Sequence, residues 1–461
     1  MKRLTILLAC IAMAACSRAV PGAAVAPASG DALPPLASAP RSAPHFAHVI
    51  LMIQENRSFD NLFATFPKAD GVTRGKTHTG RVIPLTERSL IGHDIGHTWQ
   101  EFVKSYDHGK MDGFDLNGFG GWGNLGSAGI YPYRYVDPSD VAPYWAIAQQ
   151  YVLADRMFET QASGSFIGHQ DLIAAGTAIS ATQSLANYPS NEPWGCDAPN
   201  GTVTTLLDAS KGLEPFKGPF PCMSYATLAD LLDAKGVSWK YYAPSLNSSV
   251  GYLWSAFDAI AKVRCQSYDT KTQACSGYGT DWTSKIVSPQ TKVFDDVAKG
   301  RLPAFSWVLP DFADSDHPGS KSDTGPSWVA SVVNAIGKSK FWKNTAIIVV
   351  WDDWGGFYDH VAPPQVDYQG LGFRVPLLAI APYAKKGYIA HTGYEYGSII
   401  KFVENNWQLG TLKATDVRAH DFTNDFFDFA QAPRAFVSIS AKYKQDFFLH
   451  QHPSYRAVDD E

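Results

Sequence analysis

Apolar runs that stop abruptly at acidic and amide side chains set the rhythm of this chain. Residues 47–53 carry Val-Ile-Leu-Met-Ile, and 345–351 read Thr-Ala-Ile-Ile-Val-Val-Trp. Both lack polar alternation, the pattern of strands buried on two faces in a parallel sheet. Residues 304–309 and 374–380 predict two further strands, and 141–151, 327–339 and 396–407 predict helices. Helices alternating with buried strands predict a three-layer α/β/α sandwich around a mostly parallel central sheet. The stretch 188–288, rich in Gly, Asn, Tyr and Cys, breaks that rhythm and is expected to be an insertion lying over the active site. Its aromatics, among them Trp194, Phe216, Phe220, Tyr241, Tyr242 and Tyr252, could shape a pocket, although most read as packing. There is no repeat period and no heptad pattern.

Chemistry concentrates where two of these strands end. In α/β sheets, ligands gather outside the carboxyl ends of the strands. The first strand runs into Gln54-Glu55-Asn56-Arg57-Ser58-Phe59-Asp60, which would set the oxygens of Glu55 and Asn56 at the sheet's mouth. Taken alone, the same residues also describe a helix start capped by Asn56 or Ser58. The strand at 345–351 runs into Asp352-Asp353-Trp354-Gly355-Gly356-Phe357-Tyr358-Asp359-His360. Two neighbouring acids at a buried strand end repel each other unless a cation lies between them. Because the arrangement occurs at two strand ends far apart in sequence, a divalent metal is a better explanation than two solvated loops.

Together, Gln-Glu-Asn-Arg-Ser-Phe-Asp and Asp-Asp-Trp-Gly-Gly-Phe-Tyr-Asp-His-Val-Ala-Pro-Pro resemble the phosphoesterase family that contains bacterial acid phosphatases and non-haemolytic phospholipases C. The resemblance extends over about 48–436 and implies an alkaline-phosphatase-like core. It implies that Glu55, Asn56, Asp352 and Asp353 hold one divalent ion, although relatives often have Glu-Gly where this chain has Asp353-Trp354. Hard oxygen ligands favour Mg, Ca or Mn, while carboxylates also accept Zn or Fe.

The segment 157–170 is similar to the family's nucleophile turn, and its register places the nucleophile, a further metal ligand, at Ser165. A serine at the start of a helix lies near amides that bind anions, and a metal lowers its hydroxyl pKa. On the residues alone, Thr160 and Ser163 compete with it, as does a plain N-cap role. Ile167-Gly168 stands where relatives commonly have proline.

A phosphoryl group needs donors around its oxygens and a proton for the leaving group. Placement within family-like segments nominates His97, His317 in Ser-Asp-His-Pro-Gly, and His360 for these catalytic and substrate-binding roles; His93, His108 and His169 have the weaker claims. Many relatives carry a second histidine after Asp-His-Pro, and here that contact would fall to Lys321. The resemblance therefore implies a metal-dependent hydrolase working through a phosphoserine. His169-Gln170 after the turn, and the lack of the additional β domains of the phospholipases, tip the expectation toward an acid phosphatase acting on monoesters. A phospholipase C releasing a phosphorylated headgroup is the alternative, and a surface-anchored protein that binds metal or phosphate without turnover is the second.

The amino terminus predicts export. Met1-Lys2-Arg3, an apolar stretch over 4–14 and the small residues before Cys16 form a secretory signal at 1–15. Cys16 also matches a lipoprotein box, so lipidation there would anchor the protein to a membrane, with 16–45, rich in Ala, Pro and Ser, as a linker. Setting Cys10 and Cys16 aside leaves Cys196, Cys222, Cys265 and Cys275, an even set suited to two disulfides in the periplasm. Sequence proximity pairs Cys196 with Cys222 and Cys265 with Cys275, though four cysteines allow three pairings and a zinc site is the alternative. With 461 residues and 45% hydrophobic content, the chain can build one large catalytic domain over 46–441, followed by a polar tail at 442–461 with no assigned chemistry. A net charge of −5 without a concentrated basic run argues against a nucleic-acid partner.

Overall fold

A computed structural model describes residues 46–120, 126–456 and 458. The signal segment, the linker and Cys16 lie outside the described residues. Among the described residues, nine strands form the central sheet: β1 (His48–Gln54), β2 (Val152–Phe158), β3 (Trp239–Tyr242), β4 (Ile286–Val287), β5 (Phe305–Val308), β6 (Thr345–Trp351), β7 (Arg374–Ile380), β8 (Tyr388–Ala390) and β9 (Tyr394–Glu395). Their order is β4-β3-β5-β1-β6-β7-β2-β8, with β9 also pairing with β2. Strands β4 to β6 along this order are mutually parallel, and β7 alone runs antiparallel to both its neighbours. The sheet is thus mostly parallel, as expected.

The register shows why the central strands are apolar throughout. Leu51 pairs with both Trp307 and Ile348, so these side chains share one face and Trp351, of opposite parity, shares the other. On the first face the indole of Trp307 donates to Leu172 O in helix α3 (Ser165–Ala174). On the second, the ring of Trp351 meets Tyr144 in α2 (Ala142–Gln150). Helix α3 packs with α5 (Tyr396–Trp407), and α2 packs with α4 (Gly325–Gly337). All seven residues of β6 and all seven of β7 are buried between these two helical layers. Each large aliphatic side chain so covered contributes roughly 1.5–3 kcal/mol.

Two segments are built more closely into the fold than the sequence reading had them. The segment 188–288 is not purely an insertion, because it supplies β3 and β4 at one end of the central sheet. It also holds the disulfides Cys196–Cys222 and Cys265–Cys275. The polar tail is not detached: helix α6 (Gln445–His450) buries Phe448 against Trp328 of α4, and Ser454 N donates to Asp311. In β7 the pairing with β2 shifts register between Val375 and Leu377, where Pro376 has no N–H to offer. Among the described residues, no helix is long and apolar enough to cross a membrane.

Candidate active site

Strands β1 and β6 lie side by side and end together, so the two motifs meet. Gln54 pairs with Trp351 at the last rung, and Asp352 N then donates to Gln54 O at 2.9 Å. Beyond the rung the first motif does start a helix. Ser58 caps the five-residue helix α1 (Phe59–Phe63), accepting from Asn61 N, while Asn56 occupies the turn before it at φ 61°. Asparagine tolerates that left-handed conformation better than most residues. The backbone N–H of Asn56 donates to Asp352 Oδ1 at 2.9 Å, and that same oxygen accepts from Asp353 N at 2.8 Å.

Ser165 opens α3 with its hydroxyl directed at this junction: Oγ donates to Asp353 Oδ2 at 3.1 Å. Its two competitors are used elsewhere. Ser163 Oγ accepts from Asn187 N, and Thr160 Oγ1 donates to Glu395. Gly168 has a local reason. A Cβ there would sit 2.2 Å from Asp352 O, so only glycine lets α3 approach the end of β6 this closely. Gly168→Ala is expected to destabilise the fold by about 2–4 kcal/mol and to weaken metal binding, because either the helix or the Asp352 backbone must move. Urea unfolding and a metal-dependent thermal shift measure both effects. Gly355, at φ 61°, lies as close to Asn56 O, so the glycine pair after the acids lets one loop fold onto the other.

The histidines divide. His97 Nδ1 donates to Ile95 O at 2.7 Å, which leaves Nε2 to accept from Asn56 Nδ2 at 3.0 Å. That bond turns Asn56 Oδ1 the other way; His97 Nε2 also lies 3.6 Å from Asp353 Oδ2. His317 Nδ1 accepts from Gly319 N at 3.0 Å, so its Nε2 carries the proton when the ring is neutral. Burial, then the nearby His97 ring and the Arg57 guanidinium, holds this imidazole well below its ordinary pKa, making it a neutral hydrogen-bond donor and not an acid.

His360 does not join them. It belongs to a cluster in which Asp60 Oδ2 binds its Nδ1 at 2.7 Å, Asp70 lies 3.3 Å from Nε2, and buried Arg374 joins Asp60 and Asp359. Two acids and a buried guanidinium engage the ring on the far side of the glycine turn, so its place in the sequence beside Asp352 and Asp353 misleads. Burial alone would lower this imidazole, but Asp60 and Asp359 outweigh it and raise its pKa above the ordinary 6.5. The stability it contributes is therefore fully present below that ordinary value and is lost as pH rises through the raised one. His360→Ala is expected to cost about 1–2 kcal/mol at pH 5.5 and clearly less at pH 9, as read by urea unfolding at the two pH values.

Lys321 is exposed in a left-handed turn, and among the described residues no hydrogen bond or ion pair ties it to the site. His93 and His108 are exposed as well. The aromatics of 188–288 mostly pack, with Tyr241 and Tyr242 buried in β3 and Phe216 on the surface. One does reach the site: the indole of Trp254 stacks on both His169 and His317, each with ring centroids 6.1 Å apart, while Trp194 packs on Phe166 beside Ser165.

His169 is the residue the sequence undervalued. Its Nε2 is 3.0 Å from Glu55 Oε1 and 3.8 Å from Asp352 Oδ2. The signal was present, since it lies four residues after Ser165 on the same helical face.

A divalent cation suits this donor set. Glu55, Asn56, Asp352, Asp353 and Ser165 are all fully buried, and Asn56 Oδ1 and Asp352 Oδ2 receive no hydrogen bond. Burial pushes the Asp353 carboxyl up to about 7, and burial followed by the charge of Asp353 raises Asp352. Glu159 is raised for the same reasons. Acidic groups so crowded are neutralised by a cation at low cost.

A model of the phosphoesterase family matches residues 46–410. Non-hemolytic phospholipase C of Burkholderia pseudomallei is 23% identical over 418 residues, which cover 77% of this chain and 54% of that protein. Phospholipase C B of Mycobacterium tuberculosis is 25% identical over 443 residues, covering 84% of this chain and 78% of the relative. The chain thus spans about half the length of the first and over three quarters of the second. Among solved structures, a protein in the alkaline phosphatase superfamily from Vibrio parahaemolyticus aligns with a TM-score of 0.36 at 12% identity, covering 80% of this chain and 67% of that one.

Proposed function

The chain belongs to the phosphoesterase family, and on that premise we propose that it is an exported, metal-dependent hydrolase of phosphoric esters in which Ser165 is the nucleophile. The observation that carries this reading is the hydroxyl of Ser165 donating to Asp353 amid Glu55, Asn56 and Asp352. One cation would be held by these five residues; when bound it supplies neutralising charge and a lowered hydroxyl pKa.

The chain's own groups do the rest. Ser165 Oγ attacks phosphorus, its proton passes to Asp353 Oδ2, and the bond from phosphorus to the alcohol oxygen breaks, the alcohol taking a proton from water. The hydroxide left by that water attacks the phosphoserine, the bond from phosphorus to Oγ breaks, and Oγ takes back the proton held on Asp353 Oδ2. His317 donates through Nε2 to a phosphoryl oxygen throughout. His97 acts through Asn56 by fixing which way its amide faces.

Within this class we favour a phosphomonoester substrate, since Ser165, His97 and His317 are at most 1% exposed and a small group suits so enclosed a site. Phospholipase C activity is the second reading, favoured by what the relatives in Burkholderia and Mycobacterium are named for. Export is supported by the two disulfides, which persist in oxidising compartments, and anchoring would rest on Cys16.

The test is parallel turnover of p-nitrophenyl phosphate, p-nitrophenyl phosphorylcholine and phosphatidylcholine after chelation and metal add-back. Metal-restored hydrolysis of the first alone supports the monoesterase, and hydrolysis of the choline substrates supports the phospholipase. If no ester is hydrolysed with any metal, the enzymatic reading fails and a binding protein takes its place.

A further inference from the structure

Glu55, His169 and Asp352 come from three different elements, yet one atom from each lies within 4.8 Å of the other two. The strand ends bring in the two acids, and α3 brings in His169 one turn after Ser165. The 3.0 Å between His169 Nε2 and Glu55 Oε1 allows two interpretations. It is a hydrogen bond in the absence of an ion. It is also the separation of two donors that share one: ligands about 2.1 Å from a cation and at right angles to each other lie roughly 3.0 Å apart.

Two further observations favour the second interpretation. Asp352 Oδ2, 3.8 Å from the same nitrogen, is buried and receives no hydrogen bond. The imidazole plane is also fixed by the buried indole of Trp254, stacked at an interplanar angle of 18°. A ring held in place by a neighbour, with its nitrogen between two carboxylates, is arranged as a metal-binding histidine is. His97 is differently disposed, because Ile95 O and the Asn56 amide engage both of its ring nitrogens.

We propose that His169 Nε2 is a direct ligand of the cation held by Glu55 and Asp352. This rests on the metal-dependent reading above and deepens it. The all-oxygen set expected from the strand-end motifs becomes a mixed nitrogen and oxygen set. Imidazole suits transition metals, so the site selects Mn, Co or Zn over Mg or Ca.

Pulsed EPR of the full chain loaded with Mn(II) tests the assignment without measuring turnover. The expected spectrum shows hyperfine coupling to a ring nitrogen, which changes when the protein is grown with ¹⁵N-histidine and is absent in His169→Gln. In thermal-shift titrations, Mn(II) and Co(II) should bind wild type at least about tenfold more tightly than Mg(II), and the preference should largely vanish in His169→Gln. The labelled wild-type spectrum decides the matter even if the variant does not fold. Mn(II) that stabilises the protein but shows no histidine coupling, or a coupling that persists in His169→Gln, overturns the assignment of His169 and leaves the metal-dependent reading standing. Failure of every divalent ion to bind overturns both.

Discussion

Ser165→Ala is expected to lower kcat by roughly 10³–10⁵-fold on whichever ester the enzyme turns over, with KM changed little. The loss is large because no neighbouring hydroxyl can substitute: Ser163 and Thr160 are held by Asn187 and Glu395. The protein should remain folded, since the variant gives up one hydrogen bond to Asp353, worth about 1–3 kcal/mol. Much of its metal-induced thermal shift should also survive, because Glu55, Asn56, Asp352 and Asp353 are untouched. Steady-state kinetics beside calorimetry with and without metal separate the two effects. A variant that hydrolyses ester at the wild-type rate would remove Ser165 from the chemistry.

Asp352→Asn is expected to produce opposite changes in stability with and without metal. Asparagine retains the oxygen that accepts from Asn56 N and Asp353 N, so the turn survives. It removes one buried charge from beside Asp353 and Glu55, where burial and repulsion already raise the Asp352 pKa. The metal-free variant should therefore be more stable than metal-free wild type, by about 1–3 kcal/mol. With metal present the order reverses. Wild type gains about 2.7 kcal/mol at a metal concentration a hundred times Kd, and the variant gains little. Activity should fall at least about 100-fold. A variant less stable than wild type in the presence of chelator would mean that Asp352 does not carry an uncompensated charge.

Much of this was legible in the sequence because burial on two faces leaves a strong imprint. Strands β6 and β7 and helix α5 have the bounds that their apolar patterns predict, and β1, β5 and α2 shift by one residue at each end. Strand direction leaves no such imprint: the run at 374–380 is buried on both faces whether it runs parallel or, as it does, antiparallel. Strand β3 escaped because Trp-Lys-Tyr-Tyr is short and lies in a loop-rich stretch. Helix α6 escaped because Phe447, Phe448 and Leu449 are set among charges, and only Phe448 among them is buried.

At the site, residues on strand ends were readable and residues placed by helix phase or by a turn were not. Glu55, Asn56, Asp352 and Asp353 follow directly from two neighbouring strands that end together. His169 required the register of α3, which the sequence offered only as a spacing of four from Ser165. His360 was drawn in by adjacency, although two glycines reverse the chain before it and Asp60, Asp70 and Arg374 hold it in a different cluster. The glycine at 168 became intelligible only once Asp352 O was seen to lie where a Cβ would sit.

The central claim is covalent transfer to Ser165 in a metal-dependent site, and acid quenching during turnover addresses it most directly. The metal-loaded enzyme is mixed with a rapidly reacting aryl phosphate ester and quenched within the first turnovers, and its peptides are sequenced by mass spectrometry. A transferred phosphoryl group on Ser165, absent after chelation and absent from Ser165→Ala, is the predicted result. Sustained metal-dependent turnover that leaves no phosphoryl group on Ser165 at any quench time, or leaves it on another side chain, would contradict it.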